Sequence, residues 1–223
     1  MQQVIIITLD GPAGVGKSSL ARQLAGKLKL AFLDTGSMFR ILACGLGEPA
    51  FALSADALVR ALASIRFSLE GTGDSSVLLY NGKAPGDEIR TEQIGALASR
   101  FATLPEVRSF LKSAQQRIGA ETSLVAEGRD LGTVIFPGAF CKFFVDADPH
   151  VRALRRQKQL AEQGRVENLA ELEARIIERD AQDRNRAIAP LRPAEDAVIV
   201  DTSSLTLEQV LEILLGHVRM KGF

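Results

Sequence analysis

The stretch Val4-Ile-Ile-Ile-Thr-Leu-Asp10-Gly11-Pro-Ala-Gly-Val-Gly16-Lys17-Ser18 decides how the chain folds. It begins with a largely apolar run that ends in a carboxylate, which favours a strand buried on both faces of a sheet. It then matches the pattern G-x-x-x-x-G-K-[ST], after which apolar residues recur at helical spacing from Leu20 to Leu28. A strand, a glycine-rich turn and a helix in this order are typical of a phosphate-binding loop. A chance glycine-rich turn is the alternative, but it would not require both flanking elements.

Each residue type in this loop has a physical reason to be there. Glycines allow backbone conformations and close approaches that a side chain would prevent. The N–H groups of the turn, with a helix N-terminus behind them, attract phosphate oxygens. Lys17 adds a mobile charge for the phosphoryl group that is transferred, and the Ser18 hydroxyl can ligate Mg²⁺. The residues predicted to bind a nucleoside triphosphate are Gly11, Pro12, Ala13, Gly14, Val15, Gly16, Lys17, Ser18 and Ser19.

Further apolar runs follow along the chain, and each ends in a carboxylate. They are Ala31–Asp34, Leu124–Glu127, Cys141–Asp146 and Ala197–Asp201. Helical patterns alternate with them over Ser18–Leu30, Thr91–Ile118, Pro149–Gln163, Leu169–Arg186 and Thr206–Val218. This alternation predicts an α/β fold with a parallel sheet, whose carboxyl edge binds the ligands.

Two segments depart from this alternation. Ile65–Glu88 contains two short strand patterns, Ile65–Leu69 and Val77–Leu79, and a tight-turn signal at Asn81-Gly82. We interpret it as a small β insert on the core. The polar segment Glu162–Glu171 contains Gly164 and is predicted to form the mobile tip of a helical hairpin.

Composition excludes several classes of function. The 223 residues are 46% hydrophobic and carry no formal net charge, so no global basic field would hold nucleic acid or an anionic membrane. The two cysteines, Cys44 and Cys141, lie outside any C-x-x-C pattern, and only two histidines are present, which disfavours a disulfide framework or a zinc site. No apolar run approaches the ~18 residues of a membrane span. We therefore expect a soluble, cytoplasmic protein.

Arginines at sheet-edge and helix positions suggest a second anionic substrate. Arg40 and Arg129 follow predicted strands, and the spacing of Arg152, Arg155 and Arg156 places them on one helix face. Arg179, Asp183 and Arg186 follow further on with spacings of four and three residues, which also suit one helix face. A GTPase would carry an N-K-x-D segment, which is absent from the sequence. Taken singly, these side chains could equally form a solvated helix face or weak surface ion pairs. Together with the loop, they match phosphoryl transfer between two anionic substrates.

At this point the chain resembles the bacterial type of cytidylate kinase, a nucleoside monophosphate kinase family. The resemblance covers essentially the whole chain and rests on Gly11–Ser18, Leu33–Arg40, Glu127–Pro137 and Glu178–Leu191. It implies a three-layer P-loop kinase fold of the α/β class, with a five-stranded parallel sheet, a small β-containing acceptor-binding insert and a helical lid. The implied single domain, residues 1–223, comprises a core of 1–34, 120–150 and 187–223, an acceptor region of 35–119 with its insert at about 65–88, and a lid with the following helix at about 151–186.

The resemblance also implies an activity and a set of residue roles. The activity is direct in-line transfer of the γ-phosphoryl group of MgATP to CMP or dCMP, which needs no covalent intermediate. Cytosine would be read by Ser99, Arg108 and Asp130, with Thr35 near the acceptor nucleotide. The sugar would be held by Arg179 and Asp183, and the acceptor phosphate by Arg40, Arg129 and Arg186. The catalytic set would be Lys17, Arg129, Arg152 and Arg156, with Arg155 as a weaker lid candidate, while Ser18 would ligate Mg²⁺ and Glu127 would act through water.

Three positions differ from the family pattern, and several alternatives stay open. Thr35 and Phe39 stand where members carry Ser and Tyr, and Glu127 replaces an Asp, so affinity could differ at these places. Another small acceptor, such as UMP, AMP or shikimate, is the alternative within enzymes. A nucleotide-binding regulator without turnover is the alternative outside them. The sequence does not distinguish CMP from dCMP, and the resemblance suggests a monomer.

Overall fold

The computed structural model describes residues 4–223, so the first three residues of the predicted core lie outside it. It contains a parallel five-stranded sheet and an antiparallel two-stranded sheet. The strands are β1 Ile6–Asp10, β2 Ala31–Asp34, β3 Phe67–Glu70, β4 Val77–Tyr80, β5 Leu124–Gly128, β6 Cys141–Asp146 and β7 Val198–Asp201. The large sheet has the order β2-β5-β1-β6-β7, which confirms the predicted α/β class.

Helices cover both faces of the large sheet. They are α1 Lys17–Leu28, α2 Thr35–Leu46, α3 Ala55–Ala63, α4 Glu92–Phe101, α5 Pro105–Glu121, α6 Pro149–Glu162, α7 Leu169–Asn185 and α8 Leu207–Met220. One apolar layer packs α2, α3 and α5 on the sheet, and the other packs α1 and α8 on its opposite face. Except in the edge strand β7, where Ile199 is 64% exposed, the continuous apolar runs are therefore buried strands with a core layer on each side. No helix within residues 4–223 is both long and apolar enough to span a membrane.

Strand register brings the predicted carboxylates to one edge of the sheet. Asp34 pairs with Glu127, and Asp10 pairs with Gly128 on one side and Phe144 on the other. Since parallel strands end at the same edge, residues far apart in the chain meet there. Asp10 fixes this edge further by accepting hydrogen bonds from the backbone N–H groups of Leu131 (2.9 Å) and Gly132 (2.7 Å).

The β insert is the antiparallel pair β3–β4. Asn81 and Gly82 turn the chain just after β4, with φ values of 47° and 77°. The loop before β4 anchors the insert to the core, because Gly73 N–H donates to the Leu30 carbonyl (2.7 Å) and Phe32 N–H donates to Ser76 Oγ (2.9 Å). The insert thus covers the free edge of β2.

Two helical predictions needed correction. The pattern Thr91–Ile118, interpreted as one helix, forms α4 and α5 with a break between them, because Pro105 lacks an N–H and starts the second helix. Helices α2 and α3 were missed by the sequence analysis. Both begin at residues that favour helix starts, Asp34 and Ser54, whose side chains accept N–H bonds from the first turn.

The segment predicted as a lid folds into α6 and α7. They pack on each other through Ala153, Leu160 and Leu172, a small apolar cluster separate from the main core. Gly164, with a φ of 75°, lies in the turn between them, where the sequence predicted a hairpin tip. The mobility of that tip, and the division into core, acceptor region and lid, stay predictions.

Candidate active site

A cavity of about 960 Å³ lies at the carboxyl edge of the large sheet. Its walls come from the loop after β1, from α2 and α4, and from α6 and α7. The predicted site residues in its lining are Ala13, Gly14, Val15, Gly16, Lys17, Ser18, Ser19, Thr35, Arg40, Ser99, Glu127, Arg129, Asp130, Arg156, Arg179, Asp183 and Arg186. Those outside the lining, among the described residues, are Gly11, Pro12, Arg108 and Arg152. Most of the predicted set therefore converges on one space.

The loop between β1 and α1 is a backbone cradle. Gly16 has a φ of 89° and leads directly into α1, whose N-terminus receives no side-chain hydrogen bond. Its first N–H groups are therefore available to an anion. Gly11 supports the cradle from behind, because a Cβ at this residue would lie 2.0 Å from the Val145 carbonyl oxygen. Only glycine permits this approach of the loop to β6.

Lys17 is buried at the base of the cradle, and its Nζ donates to the Pro12 carbonyl at 2.6 Å. Burial lowers the pKa of Lys17 to about 7, with the nearby Arg129 acting in the same direction and Glu127 opposing it. A phosphate group beside the ammonium would favour its charged form. Lys17 is thus placed to gain a proton when a phosphate binds.

Two carboxylates, Asp34 and Glu127, end neighbouring strands beside the cradle, and both line the cavity. Burial raises the pKa of Glu127 to about 7, and the charge of Asp34 adds to this, whereas Lys17 and Ser18 lower it. Asp34 also starts α2 by accepting from Ser37 N–H at 3.0 Å. The Ser18 hydroxyl and these carboxylates are oxygen donors of the kind that Mg²⁺ prefers, so the residues fit the ion.

A buried arginine–aspartate–arginine cluster forms another part of the site. Asp130 accepts a hydrogen bond from Arg108 on one oxygen and from Arg186 on the other, the latter at 2.9 Å. All three side chains are at most 10% exposed. Arg186, which the resemblance placed with the acceptor phosphate, is therefore held beside the predicted base-reading residues, and it also lies 4.0 Å from Asp183.

A second group of arginines lies nearer to the cradle. Arg129 Nε donates to Asp183 at 2.9 Å. Arg179 is largely buried, and its Nε has no hydrogen-bond partner within residues 4–223. Arg40 donates from one nitrogen to the carbonyls of Ile89 (2.9 Å) and Thr91 (3.1 Å). Since a buried donor without a partner is costly, the Arg179 guanidinium is suited to an incoming anion.

The lid arginines divide into three different environments. Arg152 is 1% exposed and is held by both oxygens of Asp180, at 3.1 and 2.5 Å, and by the Ala13 carbonyl at 3.1 Å. It lies behind the loop, outside the lining of the cavity, and its catalytic role stays a prediction. Arg155 lines the cavity and donates to Thr202. Arg156 also lines the cavity and donates to Glu92 of α4.

Three further residues singled out by the sequence, Thr35, Phe39 and Ser99, also line the cavity. Thr35 Oγ1 donates to the Glu127 carbonyl at 2.7 Å, which fixes its hydroxyl beside the end of β5. Ser99 Oγ donates within its own helix to the Gly95 carbonyl at 3.2 Å. Phe39 lines the cavity and packs against the neighbouring core layer. Ser99 and Phe39 therefore offer the site a hydroxyl and an apolar ring.

Four acidic residues of this region were missing from the sequence-predicted site: Asp10, Asp34, Glu92 and Asp180. Asp10 and Asp34 end predicted strands at the carboxyl edge, so the strand pattern itself could have predicted them as site residues. Asp180 and Glu92 contact arginines of another helix. No spacing in the sequence signals such a pairing.

Comparison with known proteins identifies the family. The family model described as "Cytidylate kinase" matches residues 7–220. The cytidylate kinase of Nitratidesulfovibrio vulgaris strain Hildenborough is 54% identical over 97% of this chain and 93% of its own length. That of Maridesulfovibrio salexigens is 53% identical over 99% of both chains.

A solved structure of an uncharacterized protein from Eubacterium ventriosum has a TM-score of 0.53 at 10% identity, over 98% of this chain and 99% of its own, which shows a shared fold alone. The family match and the curated relatives carry the assignment. They agree with the nucleotide-sized cavity, the phosphate cradle and the arginine clusters, and the chain belongs to the cytidylate kinase family.

Proposed function

We propose that this enzyme, a kinase that phosphorylates CMP or dCMP, uses ATP as the donor and divides its cavity between the two nucleotides. The observation that carries the proposal is the order of charges along the cavity. Lys17 in the cradle feels the charge of Arg129, and Arg129 donates to Asp183. Asp183 lies 4.0 Å from Arg186, which in turn donates to Asp130. A donor phosphate chain, an acceptor phosphate and a cytosine base need these groups in this order.

In this proposal the donor phosphates bind to backbone N–H groups of the loop from Ala13 to Ser19. Binding at a helix N-terminus needs no rearrangement of side chains. Lys17 moves its hydrogen bonds from the Pro12 carbonyl to a phosphate oxygen and becomes fully charged there. Arg155 approaches the same phosphates from α6. Arg156 lies close enough to Arg40 to lower its pKa, so in this proposal it reaches both the donor phosphates and the acceptor phosphate.

Ser18, Asp34 and Glu127 are the residues that would hold Mg²⁺, either directly or through water. When bound, the ion neutralises charge on the donor phosphates and orients them. The carboxylates of Asp34 and Glu127 also balance the positive charge of Lys17 and Arg129 while the site is empty of anions.

The acceptor base binds next to Asp130. A carboxylate flanked by two guanidinium groups offers both acceptors and donors, as the edge of cytosine requires. Uracil carries an acceptor where cytosine carries a donor, so its binding would leave buried polar groups of the Asp130 cluster unpaired. Such a mismatch lowers kcat/KM by a large factor. Asp183 and Arg179 hold the sugar in this proposal, with Arg179 also reaching the acceptor phosphate attached to it, and Ser99 lies close to the acceptor nucleotide.

Transfer itself requires positioning and charge stabilisation more than covalent chemistry. The guanidinium groups of Arg40, Arg129 and Arg179 would surround the acceptor phosphate and the transferring group. One positioned arginine of this kind is worth a factor of about 10³ in rate. Closure of α6 and α7 over the cavity would exclude water and prevent wasteful hydrolysis of the donor.

An assay of ADP release with ATP and each of CMP, dCMP, UMP, AMP and shikimate tests the proposal. We expect kcat/KM for CMP or dCMP to exceed that for each of the other acceptors by at least about 10²-fold. Equal use of UMP or AMP would contradict the base-reading role of the Asp130 cluster. Tight binding of CMP and ATP without formation of CDP would instead indicate a regulator without turnover. The monomeric state and cytoplasmic location remain predictions.

A further inference from the structure

Glu92 forms a bridge between the two walls of the active-site cavity. It is the first residue of α4, and its carboxylate accepts a hydrogen bond from Arg156 of α6. Within residues 4–223, this is the only hydrogen bond or ion pair that joins a side chain of 35–119 to one of 151–186. Gln159 supports it by accepting from the other terminal nitrogen of Arg156 at 2.7 Å.

The Glu92 carboxylate lies among side chains that we assign to phosphate binding. Arg156, Arg40 and Arg179 are all cationic, all line the cavity and all feel the charge of Glu92, which counteracts the lowering of the pKa of both Arg40 and Arg179. Glu92 itself lines the same cavity. A carboxylate in this position presents to the arginines the negative charge that a substrate phosphate would bring.

We propose that Glu92 is an internal competitor for the phosphate-binding arginines, which the phosphate of the acceptor nucleotide must displace. The proposal rests on the proposed function, because it uses the same arginines for the acceptor phosphate. With the cavity empty, the Glu92–Arg156 pair joins the lid to the acceptor region. When CMP binds, its phosphate takes over the arginines, and Glu92 turns toward solvent, to which its side chain is already 64% exposed.

The expected size of the effect follows from this exposure. A solvent-exposed ion pair contributes little, so removing Glu92 should tighten phosphate binding by about two- to fivefold and not by orders of magnitude. The gain should belong to the phosphate alone, since Glu92 faces arginines and has no hydrogen bond to the Asp130 cluster within the described chain. The gain in affinity should also become smaller as added salt screens the competing charges.

Calorimetric binding of CMP and of cytidine to the wild type and to Glu92→Gln tests this inference without relying on turnover. We expect the variant to bind CMP about two- to fivefold more tightly and cytidine with unchanged affinity, and the CMP gain to fall when NaCl is raised. Glu121→Gln, at the exposed end of α5, is the matched control and should change neither affinity.

Three outcomes would overturn the inference: unchanged CMP affinity in Glu92→Gln, weaker CMP binding, or an equal gain for cytidine. Weaker binding would mean that Glu92 contacts the nucleotide, and an equal gain would mean a general change of shape. These results differ from failure of the proposed function, which the wild type alone would reveal if it did not convert CMP and ATP into CDP and ADP.

Discussion

The proposed donor end and the proposed acceptor end of the cavity are built in opposite ways. The proposed donor end is a single continuous stretch of chain, in which the loop from Ala13 to Ser18, including Lys17, lines the cavity. The acceptor end takes its side chains from four separate places: Arg40 in α2, Arg108 in α5, Asp130 after β5, and Arg179 to Arg186 at the end of α7. Its charged groups largely pair with each other while the donor cradle stays open.

This difference predicts that substitutions at the two ends of the cavity have different consequences. A cradle made of backbone tolerates most side-chain changes but depends on its one lysine. A cluster of paired charges loses both selectivity and stability when one partner is removed, because the others are left buried without compensation. Substitution of the lysine at the donor end should therefore lower the rate of transfer, whereas substitutions at the acceptor end should impair recognition of the acceptor nucleotide.

The largest effect is expected for Lys17→Ala. We predict a fall in kcat of about 10³-fold or more, because the transferring phosphoryl group loses its nearest positive charge. The circular dichroism spectrum and the melting temperature should stay near those of the wild type, since burial of an amine stabilises nothing by itself. Lys27→Ala, an exposed residue of the same helix, is the control and should keep full activity. Near-wild-type turnover of Lys17→Ala would contradict the donor assignment.

Asp130→Asn should give the next largest effect. The amide cannot neutralise Arg108 and Arg186, so kcat/KM for CMP should fall by about 10²-fold and the preference for CMP over UMP should narrow. Steady-state kinetics with both acceptors measures this. A variant that lost activity toward CMP and UMP by the same factor would remove Asp130 from base recognition and leave it a structural role only.

Asp183→Ala should affect the two substrates unequally. The carboxylate holds Arg129 at 2.9 Å and belongs to the acceptor side, so the KM for CMP should rise about tenfold or more, while the KM for ATP should change by less than about threefold. Glu178→Ala, an exposed acid of the same helix, serves as the control. Equal increases in both KM values would move Asp183 out of the acceptor site.

The smallest effect is the uptake of a proton by Lys17 when ATP binds. Because burial lowers the pKa of Lys17 to about 7, this lysine is mostly neutral at pH 8 in the free enzyme, and bound phosphates should raise its pKa again. Binding of ATP at pH 8 should therefore take up about one proton. Calorimetry in two buffers of different ionisation enthalpy measures the uptake. The uptake should disappear in Lys17→Met, and its persistence there would assign the proton to another group.

The difference between the two ends of the cavity also explains which parts of the site could be predicted from the sequence. The donor loop is local, so its pattern and flanking elements were enough to predict it from the residues themselves. The strands were predicted because apolar runs such as Cys141–Asp146 are short and continuous. Helices α2 and α3 were missed although α2 follows β2 directly, and the capping residues Asp34 and Ser54 are the signals that could have predicted them.

The acceptor end depends on contacts between distant segments, which spacing does not reveal. The pairings Arg108–Asp130 and Arg156–Glu92 join residues of different elements, so only the fold brings them together. The resemblance supplied most of the acceptor residues, and it assigned Arg186 to the acceptor phosphate and Arg152 to the catalytic set. The fold adds what the sequence could not show, that these two arginines are paired with Asp130 and Asp180, and both roles stay predictions.

A crystal structure with CMP and a non-hydrolysable ATP analogue would show where each nucleotide binds. We expect the loop Gly11–Ser18 to keep its backbone shape around the donor phosphates, while the acceptor end exchanges internal ion pairs for contacts with CMP. Cytosine should lie within hydrogen-bond distance of Asp130, and the CMP phosphate should contact Arg129 and Arg179. A cytosine ring far from Asp130, or a CMP phosphate bound away from these arginines, would contradict the proposed division of the cavity.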